Sequence, residues 1–253
     1  MTDYRSIEAQ LANEASPSRR LDIIKVALCP PEPQLLDTCV LQNLDWVDRT
    51  IEARGDQWSE EHERELKQRF GIELADDLFD LGTLYKRFEY EGGYPWLVCN
   101  AAVEEAHMLK GSKGESVGQL IQFLIGHQED WVSDAYPGIA KGLLLAARRA
   151  RISPLILRGL GVTSPEEVAD VRGPLSFLPD RGDRLVASHA LLANIPVILT
   201  TDRRTFWAHR QRLLAFGVQV MRPKELLDLY VPYWDALSAE FSRRRASSSA
   251  ARE

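Results

Sequence analysis

Acidic residues at the ends of short apolar segments are the features of this sequence that could do chemistry. Asp37 lies in the run Gln34–Leu41, and Asp202 follows the run Ile195–Thr201, which is rich in β-branched residues. A carboxylate flanked by apolar side chains is costly to bury without a partner. Carboxylates that meet repel one another unless a cation neutralises them, and oxygen-only ligand sets favour Mg²⁺ or Mn²⁺ over zinc. These positions therefore predict a divalent-metal site.

Two further acids are candidates for the same site. Asp183 opens the amphipathic segment Asp183–Ala193, and Glu105 lies in the segment that follows Trp96–Cys99. Each also has a plain structural explanation. Asp183 is a suitable helix N-cap, Asp202 is a suitable turn residue, and Glu105 alone fits a solvated helix face. Only the combination of the four acids points to chemistry.

The alternation of short apolar runs with helical patterns indicates which elements position these acids. Strands are predicted at residues 34–41, 96–99, 195–201 and 218–221. Strands that alternate with helices predict a parallel sheet covered by helices, whose functional residues gather at the carboxyl ends of the strands. Helices are predicted at Trp58–Phe70, Asp76–Phe88, Ala101–Leu109, Asp183–Ala193, Arg203–Phe216 and from Pro223 to Tyr230, with two more helical patterns within 115–151.

The chain divides by pattern into three parts. Residues 1–33 form an N-terminal extension that ends in a proline-rich boundary, residues 34–235 form the α/β domain, and residues 236–253 form a basic tail that is predicted to be disordered. Helical insertions are predicted in the domain at about 42–93 and 112–179.

Composition excludes several classes of protein. The 253 residues are 45% hydrophobic and 27% charged, with a net charge of −6, which argues against a non-specific DNA-coating protein. Three cysteines without a CxxC pair argue against a zinc ribbon or a disulfide framework. The sequence contains no secretory signal and no membrane span, so a cytoplasmic protein with no membrane partner is expected.

Four segments together resemble the PIN-domain family of metal-dependent ribonucleases. The family has an aspartate on its first strand, a strand followed by a glutamate-bearing helix, an aspartate that leads a helix rich in small residues, and a Thr-x-Asp motif with an aromatic residue four positions on. The matching segments are Leu35–Leu41, Val98–Ala106, Asp183–Ala190 and Leu199–Phe206, in the family's order. The resemblance does not extend to residues 42–93 or to most of 112–179.

This resemblance implies a fold, an activity and a site. The fold would be a three-layer α/β/α arrangement with a central parallel sheet and helical insertions. The activity would be hydrolysis of RNA phosphodiester bonds with Mg²⁺ or Mn²⁺, as in the toxin of a toxin–antitoxin pair or an RNA-processing or defence nuclease. The partners would be RNA and an antitoxin or regulatory protein, and a homodimer is compatible with it. The implied catalytic and metal-binding residues are Asp37, Glu105, Asp183 and Asp202.

Supporting roles follow from the same resemblance, with two departures. Thr200 or Thr201 would orient a ligand or the attacking water. Cys39 stands where the family usually has a polar residue, which predicts a weaker hydrogen bond to the site. The second motif offers two glutamates, of which Glu105 fits better and Glu104 stays an alternative. The arginines beside the acids are expected to contact the RNA backbone, namely Arg184, Arg203 and Arg204.

Two other functions remain open from the sequence. One is a phosphatase with Asp37 as a covalent nucleophile, although such families commonly have a second aspartate where this chain has Cys39. The other is a non-catalytic PIN-like scaffold that binds a partner protein.

Overall fold

The computed structural model describes residues 4–53, 59–91, 93–135 and 154–250, and the chain divides into two compact units. The larger unit is formed by residues 31–224 and the smaller by residues 1–30 together with 225–253. All four candidate acids belong to the larger unit.

The larger unit contains a sheet of four short parallel strands. These are β1 (Gln34–Leu36), β2 (Trp96–Leu97), β3 (Val197–Leu199) and β4 (Gln219–Met221), in the order β2-β1-β3-β4. Leu35 pairs with Leu97 on one side and with Ile198 on the other. Every residue of β1 and β3 is buried, as expected for strands covered on both faces. The predicted α/β class, a parallel sheet flanked by helices, is confirmed.

The order of the strands creates a crevice. β2, which follows β1 in the chain, lies next to β1 on one side. β3, which comes next, lies next to β1 on the other side. Parallel sheets bind ligands outside the carboxyl ends of the strands where the direction of winding reverses, which here is between β1 and β3. Asp37 follows β1 directly, and Thr200, Thr201 and Asp202 follow β3.

Helices make up most of the rest of the larger unit, within the residues that the structure describes. Those that follow β1 share a core of their own, which includes Val47, Ile51, Leu66 and Leu78. Gly71, with φ of +80°, lets the chain turn between two of them. The helices are α3 (Thr38–Ala53), α4 (Glu60–Phe70), α5 (Ile72–Glu91), α6 (Asn100–Met108), α7 (Ser112–Ala135), α8 (Pro154–Gly159), α9 (Arg181–Leu192) and α10 (Arg210–Leu214), with a 3₁₀ turn at Glu166–Ala169.

Several predicted element bounds differ from the structure, and two of these differences change the local structure beside the acids. The first strand ends at Leu36 rather than Leu41, because the backbone N–H groups of Val40 and Leu41 donate to the Asp37 carbonyl and begin α3. The helix predicted at 203–216 is α-helical only at 210–214, because Asp202 binds the backbone that follows it in a turn. The second helical pattern predicted within 115–151 lies largely outside the described residues.

The smaller unit is helical through most of the segment that composition predicts to be disordered. It contains α1 (Tyr4–Asn13), α2 (Pro17–Leu28) and most of α11 (Pro223–Ala250), which runs through the predicted tail. Glu240 is only 2% exposed, and its carboxylate pairs with Arg20 of α2 at 2.8 Å and with Arg243 of its own helix at 2.8 Å. The basic tail residues thus have a buried partner, which composition alone did not reveal. None of the described helices is long and apolar enough to cross a membrane.

Candidate metal centre

Asp37 is held at the carboxyl end of β1 by groups from both central strands. Its backbone N–H donates to the Leu199 carbonyl (3.1 Å), and its side chain is 4% exposed. The Thr200 hydroxyl donates to Asp37 Oδ2 at 2.7 Å, and the Cys39 thiol donates to the same oxygen at 2.8 Å. Hydrogen bonds to a carboxylate fix its orientation, so this side chain is positioned by its neighbours.

Asp202 is both a turn residue and a neighbour of the site. Its Oδ1 accepts from the Arg204 N–H and its Oδ2 from the Thr205 N–H, each at 2.9 Å, and the Thr205 hydroxyl also donates to Oδ2. The Asp202 N–H donates to Thr200 Oγ1 at 2.9 Å. Since the same hydroxyl donates to Asp37, Thr200 links the two aspartates. The predicted supporting role of Thr200 thus has a geometric basis.

Asp183 is not the N-cap of its helix. The helix begins two residues earlier than predicted, and its N-cap is Asp180, whose Oδ1 accepts from the Gly182 N–H at 2.6 Å and from the Asp183 N–H at 3.4 Å. Asp183 therefore lies in the first turn of α9, where its side chain is not needed as a cap. Thr205, whose hydroxyl donates to Asp202, lies near this carboxylate and acts to lower its pKa.

The glutamates of α6 differ in their surroundings. Glu105 is partly buried, and its Oε1 lies so close to Gly182 that a Cβ at that position would overlap it. The same Cβ would approach Asp180 Oδ1 to 2.9 Å. Glu104, by contrast, is exposed. Only Glu105 therefore extends to the first turn of α9, and Gly182 makes room for its carboxylate.

The electrostatic environment couples three of the acids. Burial raises the pKa of Asp37 from 3.8 to about 6, with a further contribution from the charge of Asp202. Burial and then the charge of Asp37 raise the pKa of Asp183 from 3.8 to about 7. Burial acts to raise the pKa of Asp202 too, but hydrogen bonds from Thr205 and the Arg204 backbone hold it below 3.8. Repulsion between the carboxylates is thus present in the folded chain.

Cys39 contributes more than the sequence suggested. A weakened hydrogen bond was expected, yet its thiol donates to Asp37 and also accepts from the Thr201 hydroxyl at 3.2 Å. The Thr201 hydroxyl in turn accepts from Asn43 Nδ2 at 2.8 Å. Thr201 therefore supports the site through Cys39 rather than by a direct bond to an acid.

The three arginines expected to contact RNA have different roles in the structure. Arg184 is 7% exposed, and its guanidinium donates to the carbonyls of Ala169, Leu178 and Pro179. These bonds use the Arg184 guanidinium to hold the chain before α9, away from the exposed position expected of an RNA contact. Arg203 pairs with Glu73 at the start of α5. Arg204 is exposed beside Asp202, so it alone keeps the position expected of a phosphate contact.

Sequence reasoning missed several residues of the site. Thr205 binds Asp202 through both its N–H and its hydroxyl, and Asp180 caps the helix that carries Asp183. An aspartate three residues before Asp183 was a signal for the cap, and a threonine three residues after Asp202 was a signal for the turn. Asn43 gave no such signal, because its partner is 158 residues away in the chain.

The donor set fits a hard divalent cation by its chemistry. Among the described residues, no group of three or more His, Cys, Asp or Glu side chains could hold a metal ion as they stand. The four acids nevertheless offer only oxygen donors, which Mg²⁺ and Mn²⁺ prefer. Burial is the main cause of the raised pKa values of Asp37 and Asp183, and the smaller contribution from neighbouring carboxylates is the kind that a bound cation relieves.

Stability of the metal-free protein is expected to fall as the pH rises from 5 to 8. A pKa raised by folding contributes stability that is complete below the unfolded value and is lost as the pH passes the folded value, here about 6 for Asp37 and about 7 for Asp183. The loss from Asp37 is at most about 3 kcal/mol between pH 3.8 and about 6, of which about 1.4 kcal/mol falls above pH 5. Thermal unfolding in a chelator measures it. Millimolar Mn²⁺ should raise the Tm more at pH 8 than at pH 5, and an equal rise at both would contradict the prediction.

Comparison with family models, with curated proteins and with solved structures found no match to this chain.

Proposed function

We propose that this chain is a ribonuclease that depends on Mg²⁺ or Mn²⁺ and has a PIN-like, three-layer fold with helical insertions. One observation carries the proposal. Carboxylates from separate elements lie near the carboxyl ends of the paired strands β1 and β3. Asp37 follows β1, Asp202 follows β3, Asp183 lies in the first turn of α9, and Glu105 of α6 reaches that turn.

Each residue of the site has a role under this proposal. Asp37 and Asp202, joined through Thr200, form the central pair of ligands, and Asp183 and Glu105 complete the set. These four residues would hold a divalent ion, which would supply a more acidic water and offset charge on the scissile phosphate. Thr205 and Cys39 keep the carboxylates oriented. Hydrolysis joins the oxygen of water to phosphorus and breaks the bond to one ester oxygen, which leaves with a proton.

Two features favour this function over the alternatives. A covalent aspartyl mechanism would need an accessible nucleophile, whereas Asp37 is 4% exposed and accepts hydrogen bonds from Cys39 and Thr200. Carboxylates that raise one another's pKa values are typical of functional sites, and a scaffold that only binds a partner does not require them. A cytoplasmic role as a toxin or a processing or defence nuclease, with an antitoxin or a second copy as partner, extends the same proposal.

Glutamine at Glu105 tests the site against a neighbouring control. Purified chain should cleave single-stranded RNA with Mn²⁺ or Mg²⁺ and lose that activity in a chelator. Glu105→Gln is expected to lower kcat/KM by about a hundredfold, because it removes one ligand. Glu104 is exposed on the same helix, so the Glu104→Gln variant should cleave like the parent chain. Equal effects of the two substitutions would remove Glu105 from the site.

Calorimetry separates the nuclease from the scaffold. The parent chain should bind Mn²⁺ with release of protons at pH 6, since metal ligands bind in their deprotonated form. The absence of binding at millimolar Mn²⁺ would favour the scaffold.

A further inference from the structure

A cleft of about 370 Å³ adjoins the acids on the side of α5. One wall is the turn from α4 to α5, which contributes Phe70 through Leu74, and the other wall is the loop after β3, which contributes Thr201 through Arg204. Asp202 thus belongs both to the carboxylate cluster and to the lining of this cleft. A ligand in the cleft would lie directly beside the bond that the proposed site attacks.

Ion pairs hold the two walls of the cleft together. Arg203 of the β3 loop pairs with the Glu73 carboxylate, and its guanidinium also donates to the Glu73 carbonyl at 3.2 Å. Deeper in the protein, the carboxylate of Asp77 is completely buried and pairs with Arg222 at 2.7 Å and with Arg203 at 3.8 Å. The opening is therefore a built feature of the fold, and its width is set by these bonds.

The two walls offer different chemistry to a ligand. Ile72 is 67% exposed at the start of α5, and Phe70 beside it is partly exposed. Apolar surface of this kind is costly to leave in water and suits the flat face of a base. The opposite wall carries the exposed guanidinium of Arg204, and Arg203 neutralises the acid at the rim, Glu73. An apolar wall facing a cation matches the two halves of a nucleotide.

We infer that this cleft binds one unpaired nucleotide of the substrate strand, with its base against Phe70 and Ile72 and its phosphate at Arg204. The volume lies near the lower end of the range for small-ligand sites, roughly 300–1,000 Å³, which suits one nucleotide better than a base pair. The cleft therefore selects a single strand over a duplex next to the cutting site. The inference rests on the proposed function for its place beside the scissile bond, but binding can be measured without cleavage.

Opposite substitutions at Ile72 test the apolar wall. Affinity for a fluorescein-labelled single-stranded RNA of about ten nucleotides is measured by anisotropy in EDTA. Ile72→Trp should tighten binding about threefold and Ile72→Ser should weaken it about threefold, because stacking on a base contributes to single-strand affinity. Val171 is also 67% exposed but does not line the cleft. The same two substitutions at Val171 should change nothing.

The salt dependence of binding tests the cationic wall. Loss of one phosphate contact reduces the slope of log K against log salt by about 0.7 for a single strand. Arg204→Gln should show this reduction, whereas Arg64→Gln, exposed on α4, should not. A purely structural role of Arg204 would leave the slope unchanged.

The outcomes separate this inference from the proposed function. Equal affinity of the Ile72 variants, or equal affinity for single-stranded and duplex RNA, would overturn the cleft as a nucleotide site, and so would an absence of RNA binding by the parent chain. A parent chain that binds RNA through Ile72 but cleaves nothing with Mn²⁺ would support the cleft and refute the nuclease. Affinities for DNA oligonucleotides of the same sequence show whether the sugar contributes to the selection of RNA over DNA.

Discussion

Replacing Asp37 with asparagine is expected to abolish RNA cleavage while making the metal-free protein more stable at pH 8. The activity should fall on the order of a thousandfold, because metal-assisted charge stabilisation contributes several kcal/mol to such a reaction. The stability should rise by about 2 kcal/mol, because the charge of a buried carboxylate whose pKa is raised to about 6 is removed. Asparagine keeps an oxygen that can accept from Thr200 and Cys39.

These two opposite changes distinguish a functional acid from a structural one. Initial rates with Mn²⁺ measure the first, and chemical unfolding in EDTA measures the second. The dependence of stability on pH should also become flatter, since the group with the raised pKa is gone. Glu104→Gln serves as the control for both measurements. A variant that is less stable and still active would place Asp37 among the structural residues.

Alanine at Asp77 should destabilise the chain by about 3–4 kcal/mol, the largest stability effect that we expect. Asp77 is 0% exposed, and its Oδ2 accepts from Arg222 Nε at 3.1 Å and Nη2 at 2.7 Å. Removing one partner of a buried pair leaves an uncompensated charge, at a cost of roughly 3–5 kcal/mol. Because Arg222 is 20% exposed, the lower part of that range applies.

The neighbouring residue provides the matched control. Asp76 pairs with Lys67 at 3.4 Å and its side chain is 42% exposed, so Asp76→Ala should cost less than about 1 kcal/mol. Urea unfolding of both variants measures the difference. Equal losses of unfolding free energy in the two variants would show that burial of the Asp77 pair contributes no additional stability. Under conditions in which both proteins are fully folded, the Asp77 variant should also bind RNA more weakly than the parent chain. The reason is that Arg203 loses a partner that fixes its wall of the cleft.

The sequence predicted the central parallel arrangement because its signals are local. A short apolar run before Asp37 and a β-branched run before Asp202 each identify a buried strand, and the strand ends then place the two acids. The sequence pattern did not show how the residues of these two strands lie against each other. Only the folded sheet shows that Thr200 hydrogen-bonds to Asp37 and binds the Asp202 backbone.

Roles that depend on distant partners could not be predicted. Arg184 has the charge of an RNA contact, yet its donors are used by carbonyls of the preceding loop. Composition predicts that the basic tail is disordered, yet Glu240 in this segment binds Arg20, which is 220 residues away. In both cases the residue type fits two environments, and long-range hydrogen bonding decides between them.

The central position of β3 has a consequence for when the site comes into existence. Until residues 197–202 have been synthesised, β1 lacks its inner partner and Asp37 lacks the hydroxyl of Thr200. An emerging polypeptide that stops short of this point contains Asp37, Glu105 and Asp183 but cannot assemble the crevice between β1 and β3. Under the proposed function, any cutting activity that depends on this cluster therefore starts only after Asp202 has left the ribosome.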